Sequence, residues 1–77
     1  MNYSQLKKIA LERYPETDTC YDCGGVLHFV NENSDVKGYS VAIHKETGEC
    51  MPFVMAIELD LVDEANKLDF ETGKPLV

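Results

Sequence analysis

Apolar residues recur at Leu6, Ile9, Ala10 and Tyr14, while Lys7, Lys8, Glu12 and Arg13 fill the positions between them. Steps of three and four residues mark an amphipathic helix, and this stretch predicts one over Ser4 to Tyr14. Ser4 is placed to cap its first turn. Pro15 ends it, because the residue before a proline is pushed out of helical backbone geometry.

The pattern then changes period. Cys20 to Val30 reads as a first strand region whose firm part is Val26-Leu27-His28-Phe29-Val30. Gly24-Gly25 inside it marks a bulge, a bend or a close backbone approach. A polar, turn-rich loop follows from Asn31 to Lys37. Next, Tyr39, Val41 and Ile43 alternate with Ser40, Ala42 and His44, as a half-buried strand should. Lys45-Glu46-Thr47-Gly48 reads as a hairpin turn into a third strand, Glu49 to Val54, which Pro52 confines to a sheet edge or a bulge. From Met55 to Leu68 two periods compete. Met55, Ile57, Leu59 and Leu61 alternate like a strand, whereas Ile57, Leu61, Ala65 and Leu68 share one helical face. The length and the helix-forming run Asp63-Glu64-Ala65-Asn66-Lys67-Leu68 predict a helix from about Ile57 onward. The turn-rich tail from Asp69 to Pro75 leaves Phe70 to tuck back.

The expectation is therefore one α+β domain over residues 1–77. It has an N-terminal helix, a two- or three-stranded antiparallel sheet and a C-terminal helix, in two layers with both helices on one sheet face. A chain of this length buries only about 60% of its unfolded surface, so the core must be thin. An apolar share of 44% is ordinary for a folded domain and too high for a disordered acidic tail. The longest apolar run, Met51 to Ile57 with Pro52 included, falls short of the roughly 20 residues a membrane helix requires. Met1-Asn2-Tyr3-Ser4-Gln5 lacks the basic-then-apolar plan of a secretory signal, so a cytoplasmic location is expected.

Charge changes the picture most. Fourteen acidic residues face seven basic ones, a net charge of −7. Lys and Arg must neutralise phosphates in nucleic-acid complexes, so direct binding of DNA or RNA is disfavoured, as is an anionic membrane surface. A basic protein partner is favoured, because complementary fields steer encounter. Glu58, Asp60, Asp63, Glu64, Asp69 and Glu71 crowd into fourteen residues with Lys67 as the single base among them. On the expected helix the first four avoid the apolar stripe. They are either a solvated outer face or an acidic docking surface. Tyr21 and Tyr39 are the candidate exposed rings beside it, since tyrosine buries much area for little lost rotamer freedom.

Other chemistry is sparse. Cys20-Tyr21-Asp22-Cys23-Gly24-Gly25 has the C-x2-C spacing of a zinc knuckle. A full site would draw on Cys50 and on His44 or His28, and the second C-x2-C or H-x3-5-H that completes such sites is missing. A redox dithiol would place its first thiol at a helix start, but here a β-rich run follows. Three reduced, partly buried cysteines without a cofactor are the expected state. Neither histidine has a nucleophile beside it, no phosphate-binding glycine loop exists, and no carboxylate pair can be defended. A calcium loop is likewise absent. The chain is expected to be non-enzymatic.

Small size, acidity and helix–sheet–helix layout, with the Lys45-Glu46-Thr47-Gly48-Glu49 hairpin leading into Met51-Pro52-Phe53, resemble the short acidic proteins of phages and mobile elements. These include immunity proteins against toxins and inhibitors of nucleic-acid-handling defence enzymes, anti-CRISPR proteins among them. The resemblance implies inhibition by occluding a basic groove, and no functional residue carries over from it. Together these readings predict a protein-binding inhibitor or adaptor that docks Glu58, Asp60, Asp63, Glu64, Tyr21 and Tyr39 on a basic partner such as a nuclease. The alternative is a zinc-stabilised module built on Cys20, Cys23 and Cys50. The short edge near Pro52 also offers a strand to a target or to a second copy in a homodimer.

Overall fold

The computed structural model describes residues 1–32 and 40–76. The first element is helix α1, Tyr3–Arg13. Its cap is Asn2 rather than Ser4. The Gln5 N–H donates to Asn2 Oδ1 and the Asn2 N–H donates to Gln5 Oε1, each at 2.9 Å. This reciprocal pair satisfies two N–H groups that a helix start otherwise leaves open. Leu6 and Ala10 are buried, and Ile9 and Tyr14 pack beside them, as the helical spacing requires.

Five strands follow among the described residues: β1 (Thr19–Gly24), β2 (Val26–Val30), β3 (Ser40–His44), β4 (Cys50–Met51) and, after helix α2 (Phe53–Glu58), β5 (Val62–Leu68). They form one antiparallel sheet in the order β4-β3-β2-β1-β5. The expected two- or three-stranded sheet with a C-terminal helix is thereby corrected, for two physical reasons. First, Gly24-Gly25 reverses the chain. Gly24 takes φ +98° and its N–H donates to Asp22 Oδ1, so Cys20 to Val30 becomes a hairpin of two strands. Second, the segment after Ile57 does not stay helical. Asp60 adopts φ 60° and the Leu61 N–H turns back to the Ala56 carbonyl, closing α2 with a Schellman-type cap. The chain that emerges pairs with β1 through Cys20–Leu68, Tyr21–Lys67 and Asp22–Asn66. Helix propensity is worth only tenths of a kcal/mol per residue, and here the ladder to β1 outweighs it.

The two-layer arrangement is corrected as well, because the helices lie on opposite faces of the sheet. Val41 and Ile43 point to the α1 side, where Cys20, Leu27, Phe29 and Leu68 join Leu6 and Ala10 in the main core. Ala42 points the other way, into a smaller cluster with Cys23, Val26, Met51 and Ala56 of α2. A proline cannot donate to a ladder, so the third strand shortens to Cys50–Met51 at the sheet edge and Pro52 becomes the entry to α2. The tail folds back onto the α1 side. Phe70 meets Phe29 edge-on and Lys7 Nζ lies 4.5 Å above the Phe70 ring. The Tyr3 hydroxyl donates to the Phe70 carbonyl at 2.5 Å. No helix among the described residues is long and apolar enough to cross a membrane.

Candidate functional site

The C-x2-C pair does not converge. Cys20 belongs to the α1-side core and Cys23 to the α2-side cluster, because an odd number of steps along a strand changes face. Cys50 packs against the α1-side core, and the three thiols are free. His44 Nδ1 instead accepts the Glu46 N–H at 3.2 Å within the β3–β4 hairpin. Among the described residues no group of three or more metal-binding side chains is assembled. Burial, with Asp22 adding to it, pushes the Cys20 thiol up to about 12, and burial also raises Cys23. Both therefore stay protonated near neutral pH, the opposite of an activated nucleophile. A cleft of about 180 Å³ lies between the end of α1 and β4, lined in part by Arg13, Cys50 and Met51. It is smaller than the ~300–1,000 Å³ typical of ligand pockets.

Of the two candidate docking rings, the structure describes Tyr21. The Tyr21 hydroxyl donates to the Glu32 carboxylate, and this bond, more than its partial burial, raises the tyrosine's pKa. Tyr21 packs partly against the α2-side cluster. Tyr39 lies outside the described residues.

The four acidic candidates fall on the path from α2 into β5. Glu58 ends α2, Asp60 forms the left-handed turn after it, and Asp63 and Glu64 open β5; all four are exposed. The start of β5 sits next to the α2 side of the sheet. Asp63 lies against Gly24, close enough that a Cβ there would come within 3.0 Å of its Oδ2. Glu64 contributes to the raised pKa of Cys23, whose side chain packs in the same cluster as Ala56. The backbone is irregular at this point: β1 advances from Asp22 to Gly24 while β5 runs from Asn66 back to Val62. The extra β5 residues bulge out of the ladder and carry the carboxylates with them.

Three lysines are engaged with other acids. Lys45 pairs with Asp22 at 2.5 Å, Lys67 with Glu32 at 3.6 Å and Lys7 with Glu71 at 3.8 Å. Among the described residues no ion pair reaches Glu58, Asp60, Asp63 or Glu64. Other acids stand apart, with Glu46 and Glu49 in the hairpin at the β4 edge, across the sheet from β5.

The residues that sequence reasoning missed are apolar. Val54, Met55, Ile57 and Leu59 keep 65%, 45%, 53% and 58% of their surface in solvent. Of the six residues of α2, Ala56 is the one that is fully buried, and Phe53 stacks at 3.8 Å on the His28 ring. The signal is the apolar-rich run Val54 to Leu59, whose alternation of Met55, Ile57 and Leu59 fits a strand and whose Ile57 also fits the stripe of a longer helix. No family model, curated protein or solved structure matches the chain.

Proposed function

We propose that this chain is a non-enzymatic inhibitor or adaptor that docks the shoulder formed by α2 and the start of β5 on a basic protein. The observation that carries the reading is the set of exposed carboxylates at Glu58, Asp60, Asp63 and Glu64, which no ion pair reaches among the described residues, while Lys7, Lys45 and Lys67 serve other acids. Uncompensated charge on a small fold raises on-rates toward an oppositely charged surface and repels nucleic acid and anionic lipid. A nuclease or another nucleic-acid-binding enzyme has the matching basic groove, in keeping with the resemblance to small acidic phage and mobile-element inhibitors. The shoulder replaces the all-helical acidic face expected from the sequence, and its carboxylates are the same.

The triple reversal D60K/D63K/E64K tests the idea. These positions are exposed, so the variant should fold with an unchanged circular dichroism spectrum. Capture from a lysate of the producing cell, compared at low and high salt, should recover basic proteins with the native chain and lose them with the variant or with salt. Equal recovery by the variant would remove the acidic shoulder from the account.

A further inference from the structure

The acidic shoulder includes an apolar ridge on α2, and charge alone does not explain why that ridge is bare. Phe53 and Ala56 face the sheet, so Val54 and Ile57, three residues apart, line one flank of the outer side of α2, and Met55 and Leu59, four apart, line the other. Exposed single apolar residues are common, but four within six positions, in two pairs on either side of Glu58, leave most of the outer surface of one short helix apolar. Glu58 and Asp60 lie within and beside this surface, and Asp63 and Glu64 follow at the start of β5.

We infer that this ridge is the anchor of the docking surface and that it seats the apolar stripe of a basic amphipathic helix from another protein. The inference rests on the shoulder being a protein-docking face and adds the chemistry of the occupant. A six-residue helix rises about 9 Å, enough to meet one or two turns of a crossing helix at the usual 8–10 Å axial spacing. The acids around the ridge require Lys or Arg flanking the partner's stripe. A second copy of this chain is disfavoured, because a twofold contact uses the same patch on both sides and would bring one acidic shoulder against another. An anionic bilayer meets the same repulsion. In this division of labour the carboxylates steer encounter, and the desolvated apolar row holds the complex, chiefly by slowing dissociation.

The full chain can be titrated with a labelled 14-residue helical peptide of leucine and lysine whose leucines form one stripe. Two control peptides are needed: one with the same composition but scrambled order, and one with glutamate in place of lysine. The striped basic peptide should bind. Ile57→Ser/Leu59→Ser, and separately Val54→Ser, should weaken it, the double variant by about tenfold or more. Both variants should keep the thermal midpoint within a few degrees, because the residues are exposed. The scrambled and glutamate peptides should bind far more weakly. Unchanged binding by the double variant overturns the ridge, and if D60K/D63K/E64K still weakens the peptide, the acidic docking face stands without it. A loss with the serines and none with the charge reversal overturns the basic occupant and the acidic face together. Sedimentation showing a dimer that Ile57→Ser dissolves, or ridge-dependent binding to zwitterionic phosphatidylcholine vesicles, would replace the proposed partner by a second copy or a lipid surface.

Discussion

The two faces of the sheet receive the same kind of alternating strand and finish it differently. On the α1 side, Phe29 and Ile43 are wholly buried, Leu6 and Ala10 close over them, and the tail adds Phe70. That helix has eleven residues and a reciprocal side-chain cap. On the α2 side, Val26, Cys23 and Ala42 are small residues covered by a helix of six residues with no side-chain cap, and its Val54, Met55 and Ile57 face water. Apolar burial is worth about 25 cal/mol per Å², so the first face supplies most of the stability of so small a domain. The second face holds α2 through Ala56 and Phe53 and leaves the rest of its apolar surface in solvent. A marginally stable fold has room for this because one well-filled layer can carry it.

The largest expected effect separates the faces directly. Phe29→Ala should cost about 3–5 kcal/mol in urea unfolding, the range for emptying a filled core site, and could unfold the chain at 37 °C. Phe53→Ala, on the half-buried α2 side, should cost about 1–1.5 kcal/mol, roughly half the transfer value of a fully buried phenylalanine. Equal losses would mean that the α2 face is as much a core as the α1 face, and the contrast would fail.

Next in size is the cap of α1. Asn2→Ala removes the acceptor for the Gln5 N–H and should lower stability by about 1 kcal/mol. Asn2→Gly should recover most of that. A loss below the error of the urea midpoint would show that α1 is held by packing without help from its cap.

The smallest effect is a pH slope confined to the α2 side. His28 stacks on Phe53, its buried Nε2 has no hydrogen-bond partner among the described residues, and burial lowers its pKa from the ordinary 6.5. The unfolded chain therefore takes up a proton on this residue at a pH where the folded chain does not. The associated stability is complete above pH 6.5 and declines as pH falls below it toward the folded value. Urea midpoints between pH 7.5 and 5.5 should fall for the native chain and flatten for His28→Gln. An identical slope in both would assign the acid sensitivity to the carboxylates.

Local pattern made several features legible. The apolar spacing placed α1 to within a residue at each end, and Tyr14 leaves the helix just before Pro15. The alternation of Val41, Ala42 and Ile43 placed β3, and Gly48, at φ +76°, closes the hairpin assigned to Lys45–Gly48. The acidic candidates were identified as exposed carboxylates, but their neighbours were not foreseen. Residues 62–68 have helix-forming composition, and nothing within the segment announces that β1 lies beside it. Likewise, the C-x2-C spacing says nothing about which face each thiol occupies once both lie on a strand.

The sequence by itself determined what short-range forces decide: where backbone conformations start and stop, which positions are apolar, and that the surface carries excess negative charge. Tertiary structure decided the rest, because ladder hydrogen bonds and burial are made between residues far apart in the chain. The pairing of Cys20 with Leu68 turned a would-be helix into an edge strand. That strand left α2 short, with Val54, Met55, Ile57 and Leu59 facing water near exposed carboxylates.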